Sequence, residues 1–259
     1  MFFFLMKKVF FDGWDNLETL VITNLVIFVT GIALIWPLLV FPETSLPIFL
    51  ALLGVITIFG AMLLGVVSAL MSALADYRRV TWADVPRFFK KTWKQCLIFG
   101  IAAMCFVMVS LLGIIYYSNF KNLLGIAASV VLFWILIGAY LTGLWYFPAR
   151  SRLQGNFRIL IKKSALLMLD NFLLSLYLGF VIVPLFLIAW PMTAFTAFGP
   201  SGILLYLSSA LRLLMCKYAW REGNPGAKRG RVPWLEILAD EKERIGKRTL
   251  KGMIFPWKE

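Results

Sequence analysis

The stretch NFLLSLYLGFVIVPLFLIAWPMTAFTAFGPSGILLYLSSAL, residues 171–211, contains no charged side chain. A helix of roughly 20 apolar residues crosses the hydrocarbon core of a bilayer, so this run is about twice the length of one crossing. Trp190-Pro191 lies near its middle, followed by Phe198-Gly199-Pro200-Ser201-Gly202. Proline and glycine at that density mark a turn. The run therefore reads as two helices joined by a tight connection, the second ending near Tyr218.

Four more charge-free runs lie upstream, between Glu18 and Glu43, between Glu43 and Asp76, from Gln95 to Phe120 and from Asn122 to Ala149. The expected fold class is all-α, a polytopic transmembrane bundle of six spans at residues 20–41, 47–75, 96–118, 123–148, 171–190 and 201–219. Residues 1–18 form an N-terminal arm and 220–259 a basic tail. Composition agrees. Of the 259 residues 61% are hydrophobic and 15% charged, against about 25% charged in soluble domains.

The net charge of +13 is segregated. With six spans, 25 Lys and Arg residues fall on one side and only Lys121 on the other. Basic residues near span ends accumulate in the cytoplasm, so both termini are expected there. Fusing the two helices of the 171–211 run would put the basic tail on the wrong side. The membrane accounts for the basic charge without nucleic acid. The opening Met1-Phe2-Phe3-Phe4-Leu5-Met6-Lys7-Lys8 has its charges after the apolar stretch, the reverse of a signal peptide, and reads as a short interfacial helix.

Two basic loops carry helical patterns. After span 2, Asp84 is a candidate cap and Pro86 suits a first turn. Val85, Phe88, Phe89 and Trp93 then share one face, and Arg87, Lys90, Lys91 and Lys94 the other. This is expected to be an amphipathic helix on the inner leaflet running into span 3. The loop after span 4 echoes it: Asn156 is a candidate cap, Phe157, Leu160 and Ile161 face one way, Arg158 and Lys162 the other. The echo suggests a duplication of spans 2–3 in spans 4–5, as transporters show. In the tail, Pro233 to Lys247 reads as a charged helix supported by Asp240–Arg244 and Glu243–Lys247 at i,i+4. Ile254-Phe255-Pro256-Trp257 is apolar enough to dock.

Polar residues in lipid are expensive and point to function. Asn24 lies early in span 1, Asp170 and Asn171 open span 5, and Arg212 and Lys217 lie in span 6. One reading pairs Asp170 with Arg212 around a cytoplasm-facing cavity. The other makes Asp170 and Asn171 interfacial caps while Arg212 and Lys217 snorkel to headgroups. Asn24 stays open between the two. Span 2 carries Ala61, Gly65, Ala69 and Ala73, a small-residue stripe that lets helix backbones approach closely. Packing within the bundle is the expected use, a partner interface the alternative. Trp82, Trp93, Trp145, Tyr146, Trp220 and Trp234 read as interfacial belt anchors.

Histidine is absent, and Cys96, Cys105 and Cys216 have no metal or disulfide spacing. No phosphate-binding GxxxxGK[ST] loop, GxSxG elbow, HExxH or CxxC motif occurs. The expectation is a protein that is not an enzyme, with no cofactor.

Certain ordered features resemble the YesL-like family of bacterial integral membrane proteins. They are Asn24 followed by the exit Trp36-Pro37; Arg87-Phe88-Phe89-Lys90-Lys91-Thr92-Trp93-Lys94-Gln95 leading into span 3; Tyr146-Phe147-Pro148 leaving span 4; Arg158-Ile159-Leu160-Ile161-Lys162-Lys163-Ser164-Ala165-Leu166; and Asp170-Asn171. The resemblance covers about residues 15–215. Members are often encoded beside carbohydrate uptake and breakdown systems. The resemblance thus implies an inner-membrane protein accessory to solute uptake or its regulation, with a transporter subunit or cytoplasmic protein as partner. One alternative is a substrate-binding subunit of an importer with a separate ATPase, docking through the span 2 stripe. Another is a lipid-organising scaffold, in which Arg87, Lys90, Lys91, Lys94, Arg158 and Lys162 contact an anionic inner leaflet.

Overall fold

The computed structural model describes residues 2–40, 45–120, 122–224, 233–246 and 248. Among them there are helices and turns but no strand. The helices are α1 (Phe2–Asp15), α2 (Leu17–Val40), α3 (Leu46–Ala75), α4 (Val85–Ser118), α5 (Leu123–Arg152), α6 (Phe157–Asp170), α7 (Phe172–Tyr177), α8 (Val183–Met192), α9 (Pro200–Gly223), α10 (Trp234–Ile237) and α11 (Ala239–Ile245). Among the described residues six helical segments are long and apolar enough to cross a membrane: α2, α3, α4, α5, the α7–α8 unit and α9. Large apolar side chains such as Val109, Leu112, Leu173 and Ile188 stand on the outside. A surface of that kind is matched by lipid and not by water. The chain is a multi-pass helical membrane protein.

The 171–211 run divides where its proline and glycine content predicts. The α7–α8 unit ends at Met192 and α9 begins at Pro200. A π-helical turn, Leu178–Ile182, joins α7 to α8. Pro184 follows it; proline lacks an N–H and its ring crowds the carbonyl four residues back, so the helix widens there. The Gly179 carbonyl in this turn accepts from Tyr140 Oη at 2.9 Å.

α9 is the least apolar of the six segments and the most buried. Protein surrounds it, so it can carry Ser201, Ser208 and Ser209 away from lipid. Ser208 bonds Ser72 of α3 at 3.0 Å. α3 is the other central helix, packed against α4, α5 and α9. A Cβ at Gly65 would collide with Cys96 Sγ, and one on Gly100 of α4 would lie 3.1 Å from Ala61 Cβ. The first half of the stripe is thus occupied by α4, an approach that only small residues permit.

Several local expectations need correction. Asp84 does not cap α4: its carboxylate turns back to Thr81, accepting from the backbone N–H at 3.0 Å and from Oγ1 at 2.9 Å. The basic segment and span 3 are one continuous helix, whereas α6 and α7 break at Asn171, so the two halves of the proposed duplication differ. Asn156 precedes α6 but makes no side-chain cap. Trp145 and Tyr146 are not belt anchors. Both are fully buried, with Trp145 Nε1 donating to Ser175 Oγ at 2.9 Å and Tyr146 Oη to the Gln95 carbonyl at 3.0 Å. The tail helix is broken at Leu238 into α10 and α11, and among the described residues Asp240 makes no salt bridge with Arg244. Lys247, Lys121 and Ile254 to Trp257 lie outside the described residues.

Candidate functional site

Polar chemistry collects where α3 and α5 end, α4 begins, and α1 and α11 pack against α9. Tyr77 closes α3. Its N–H bonds the Leu74 carbonyl at 2.8 Å, and the Arg78 N–H reaches back to Ala73 at 3.0 Å. That paired stop needs a left-handed residue, usually glycine, and Tyr77 takes it at φ 58°. Left-handed backbone costs a non-glycine residue about 1–2 kcal/mol. The ring is held in place by cations: Lys8 Nζ lies 3.9 Å from its centroid, and the Arg212 and Arg244 guanidinium carbons lie at 5.0 and 5.6 Å.

Around Tyr77 three cations and three carboxylates interlock. Asp76 Oδ1 accepts from Arg152 Nη1 at 2.6 Å and Arg212 Nη1 at 2.7 Å. Glu241 Oε1 accepts from Arg212 Nε at 2.8 Å and Nη2 at 2.6 Å, and its other oxygen accepts from Tyr77 Oη at 3.0 Å. Lys8, wholly buried, bonds Asp12 at 2.8 Å and lies 3.6 Å from Glu241. Its ammonium also donates to the Ala75 carbonyl at 3.3 Å. Buried charges persist only when paired and hydrogen-bonded, and this cluster meets that condition with equal numbers of each sign. Burial pushes the Asp12 carboxyl above its ordinary range, against the pull of Lys8. Burial also raises the Glu241 carboxyl, but hydrogen bonds and charge from Arg212, with the charge of Lys8, outweigh it and hold that group low. Burial, with the charges of Asp12 and Glu241, pushes the Tyr77 phenol up. The cluster fastens the arm and the tail to the bundle. α1 is therefore packed against the bundle on one side, while Phe3 and Trp14 stand exposed on the other.

Beside the cluster, α3, α4 and α5 enclose a cavity of about 370 Å³. Arg78, Arg79, Arg87, Lys91, Arg150 and Arg152 line it. Ala69, Ser72 and Ala73 of α3 form part of its wall, so the second half of the stripe borders open space.

A second polar group joins α6 to α9. Asp170 Oδ2 accepts from Tyr218 Oη at 2.6 Å and Lys217 Nζ at 3.1 Å, and Lys217 also donates to Asn171 Oδ1 at 2.7 Å. The Tyr218 hydrogen bond, more than the opposing effect of burial, keeps the Asp170 carboxyl below its ordinary value. Asp170 and Arg212 are not paired, since their partners differ. Lys217 is buried and bonded, so it does not snorkel freely.

Asn24, fully buried in α2, secures the α8–α9 connection. Its amide donates to the Thr196 carbonyl at 2.8 Å, and its oxygen accepts from the Ser201 N–H at 3.1 Å. Gly199 at φ 147° leaves room for this, because a Cβ there would lie 2.6 Å from Trp190 and 2.9 Å from Asn24 Oδ1. Trp190 Nε1 donates to the Phe195 carbonyl at 3.0 Å, and Phe28 stacks on Phe195 at 4.0 Å.

Of the basic positions expected to meet lipid, Arg87, Lys90, Lys91, Lys94, Arg158 and Lys162 are all exposed. Arg87 and Lys91 also border the cavity; Lys90 and Lys94 do not. Sequence reasoning missed Lys8, Asp12, Asp76, Tyr77, Arg152 and Glu241 as a unit. The available signals were an i,i+4 Lys8–Asp12 pair in an apolar arm and one carboxylate, Asp76, closing a long apolar run. Among the described residues no group of three His, Cys, Asp or Glu side chains is placed to hold a metal ion.

Fold and site together define a multi-pass helical membrane protein with, among the described residues, six helices long and apolar enough to cross a bilayer and an ion-pair cluster where α3 and α5 end. The chain matches no family model, no curated protein and no solved structure.

Proposed function

We propose that this is a non-enzymatic protein of the bacterial inner membrane, with both termini in the cytoplasm, acting as an accessory to solute uptake or its regulation. The observation that carries the reading is the ion-pair cluster of Lys8, Asp12, Asp76, Arg152, Arg212 and Glu241. It binds arm, spans and tail helix into one platform, flanked by basic segments whose excess of Lys and Arg supports a cytoplasmic position under the positive-inside rule. A rigid platform of that kind suits the docking of a partner subunit that supplies energy or regulation. A carbohydrate as the solute rests on the YesL-like resemblance. Docking of an ATPase through the span 2 stripe is the weaker reading, since Ala61 and Gly65 already face α4.

Affinity purification from native membranes, with mass spectrometry of retained proteins and small molecules, tests the role. A transporter subunit that copurifies with the parent and is lost with Glu241→Gln supports it. Recovery of lipid alone removes the uptake role in favour of a scaffold. Topology is tested separately by a cysteine at exposed Asn119, between α4 and α5. It should react with a membrane-impermeant maleimide on intact cells above the parent's own thiol background. Labelling only after lysis would reverse the orientation.

A further inference from the structure

The cavity between α3, α4 and α5 has no part in the platform's ion pairing beyond the Asp76–Arg152 edge that it shares. Its charge is unbalanced. Six cations line it, Arg78, Arg79, Arg87, Lys91, Arg150 and Arg152, against two acids, Asp76 and Asp84. Both acids are already engaged. Asp76 binds Arg152 and Arg212, and Asp84 accepts from Thr81. Among the described residues Arg78, Arg79, Arg87 and Lys91 enter no salt bridge.

The inner wall is built and not incidental. The Arg152 side chain is 9% exposed. It is fixed by Asp76 and by the Ser72 carbonyl at 3.3 Å from Nη2, yet its Nε has no hydrogen-bond partner. Arg150 is held by the Lys91 carbonyl at 2.6 Å, and its Nε is likewise buried without a partner. Two guanidinium groups thus stand fixed in the wall of the cavity. Like charges gathered around one cavity repel, and an anion bound among them offsets that repulsion. Guanidinium forks match the oxygens of phosphate, and ammonium groups add point charge. Pockets for drug-sized ligands span roughly 300–1,000 Å³, so 370 Å³ suits a compact group. Ala69 and Ala73 supply the room, because longer side chains there would fill it.

We infer that this cavity is a binding site for a phosphate group, recognised by Arg79, Arg87, Lys91, Arg150 and Arg152. Basic pockets between membrane helices hold phospholipid headgroups in this manner, and a free phosphate offers the same oxygens. The site does not depend on the uptake role; a bundle with no part in transport would carry the same cavity.

The test uses the full chain purified in zwitterionic detergent, with intrinsic tryptophan fluorescence following thermal unfolding. Inorganic phosphate is titrated against chloride at matched ionic strength. Mixed micelles of phosphatidylglycerol are compared with phosphatidylcholine in a parallel arm. A ligand that binds only the folded state raises Tm with concentration. A saturable rise with inorganic phosphate identifies a free anion as sufficient. A rise confined to phosphatidylglycerol identifies the headgroup. Arg79→Gln with Arg87→Gln, both exposed positions, should weaken the midpoint roughly tenfold or more, the scale of lost charge-assisted hydrogen bonds. Ala73→Leu should weaken it by filling the space with every charge in place. Lys90→Gln with Lys94→Gln, outside the cavity, should leave the midpoint unchanged. The inference is overturned if neither ligand exceeds its control, or if the Lys90 and Lys94 pair weakens binding as much as the Arg79 and Arg87 pair, since that is the behaviour of a diffuse basic surface.

Discussion

Glu241→Gln probes the platform at its most connected point. The substitution keeps the side chain's shape and removes one negative charge. Arg212 loses the charge assistance of two bonds, at 2.8 and 2.6 Å. Lys8, wholly buried, loses a carboxylate at 3.6 Å and, among the described residues, keeps Asp12 at 2.8 Å as its anionic partner. The cluster is left with three cations against two acids. Removing one partner of a fully buried pair costs about 3–5 kcal/mol. Arg212 is 16% exposed and retains Asp76, and the new amide oxygen still accepts, so the range for hydrogen bonds to charged groups, about 1.5–3 kcal/mol, is the better guide. At 1.4 kcal/mol per factor of ten, docking of the tail helix weakens by roughly 10- to 100-fold. Tryptic cleavage at Lys242 and Arg244, exposed residues on α11, measures this in reconstituted protein. When reclosing is fast, cleavage tracks the open population, so it should accelerate by the same factor. A rate within twofold of the parent would refute a tail held by this network.

Further outcomes follow from other contacts. Because Glu241 is held low, its share of tail docking is fully present above the ordinary carboxylate value of about 4.3 and is lost as pH falls through its depressed value. Tryptic protection should therefore be flat from pH 6 to 8, and a tail released in that window would contradict the assignment. Asn24→Ala orphans the Ser201 N–H and the Thr196 carbonyl; at about 1–3 kcal/mol per buried unpaired group, thermal unfolding should show a loss of ~2–6 kcal/mol. Thr23→Ala, which breaks only bonds to its own helix, should lose far less. Gly65→Ala drives a methyl into Cys96 Sγ and should lower Tm, with Cys96→Ala restoring much of the loss; equal Tm values in the single and double variants would remove close α3–α4 packing. Asp170→Asn and Arg212→Gln should combine additively within about 0.5 kcal/mol, whereas Asp170→Asn with Lys217→Met should not.

The spans were legible because membrane crossing is a local demand. Length, apolarity and missing charge must all occur within one segment, and the Pro-Gly content of 190–202 marks the one break that charge alone leaves hidden. The amphipathic faces of residues 85–94 and 157–162 were legible for a similar reason, since helical period is read within a few turns. Small residues at 61 and 65 announced a close approach, but only the fold names Cys96 and Gly100 as what approaches. Pairing of charges was not legible. Asp170 and Arg212 look like partners because they are the conspicuous charges near spans 5 and 6, yet a carboxylate takes the nearest donors in space. For Asp170 these are Tyr218 and Lys217; for Arg212 the acids are Asp76 and Glu241. Glu241 sits in a tail whose own pattern suggested only i,i+4 support, and Lys8 in an arm expected to lie on lipid. Sequence by itself determined which segments are long and apolar enough to cross a membrane, through the energetics of single helices. Tertiary structure decided which buried charges neutralise one another, and so where a basic cavity was left over, because Coulomb energy depends on distance and burial and not on position along the chain.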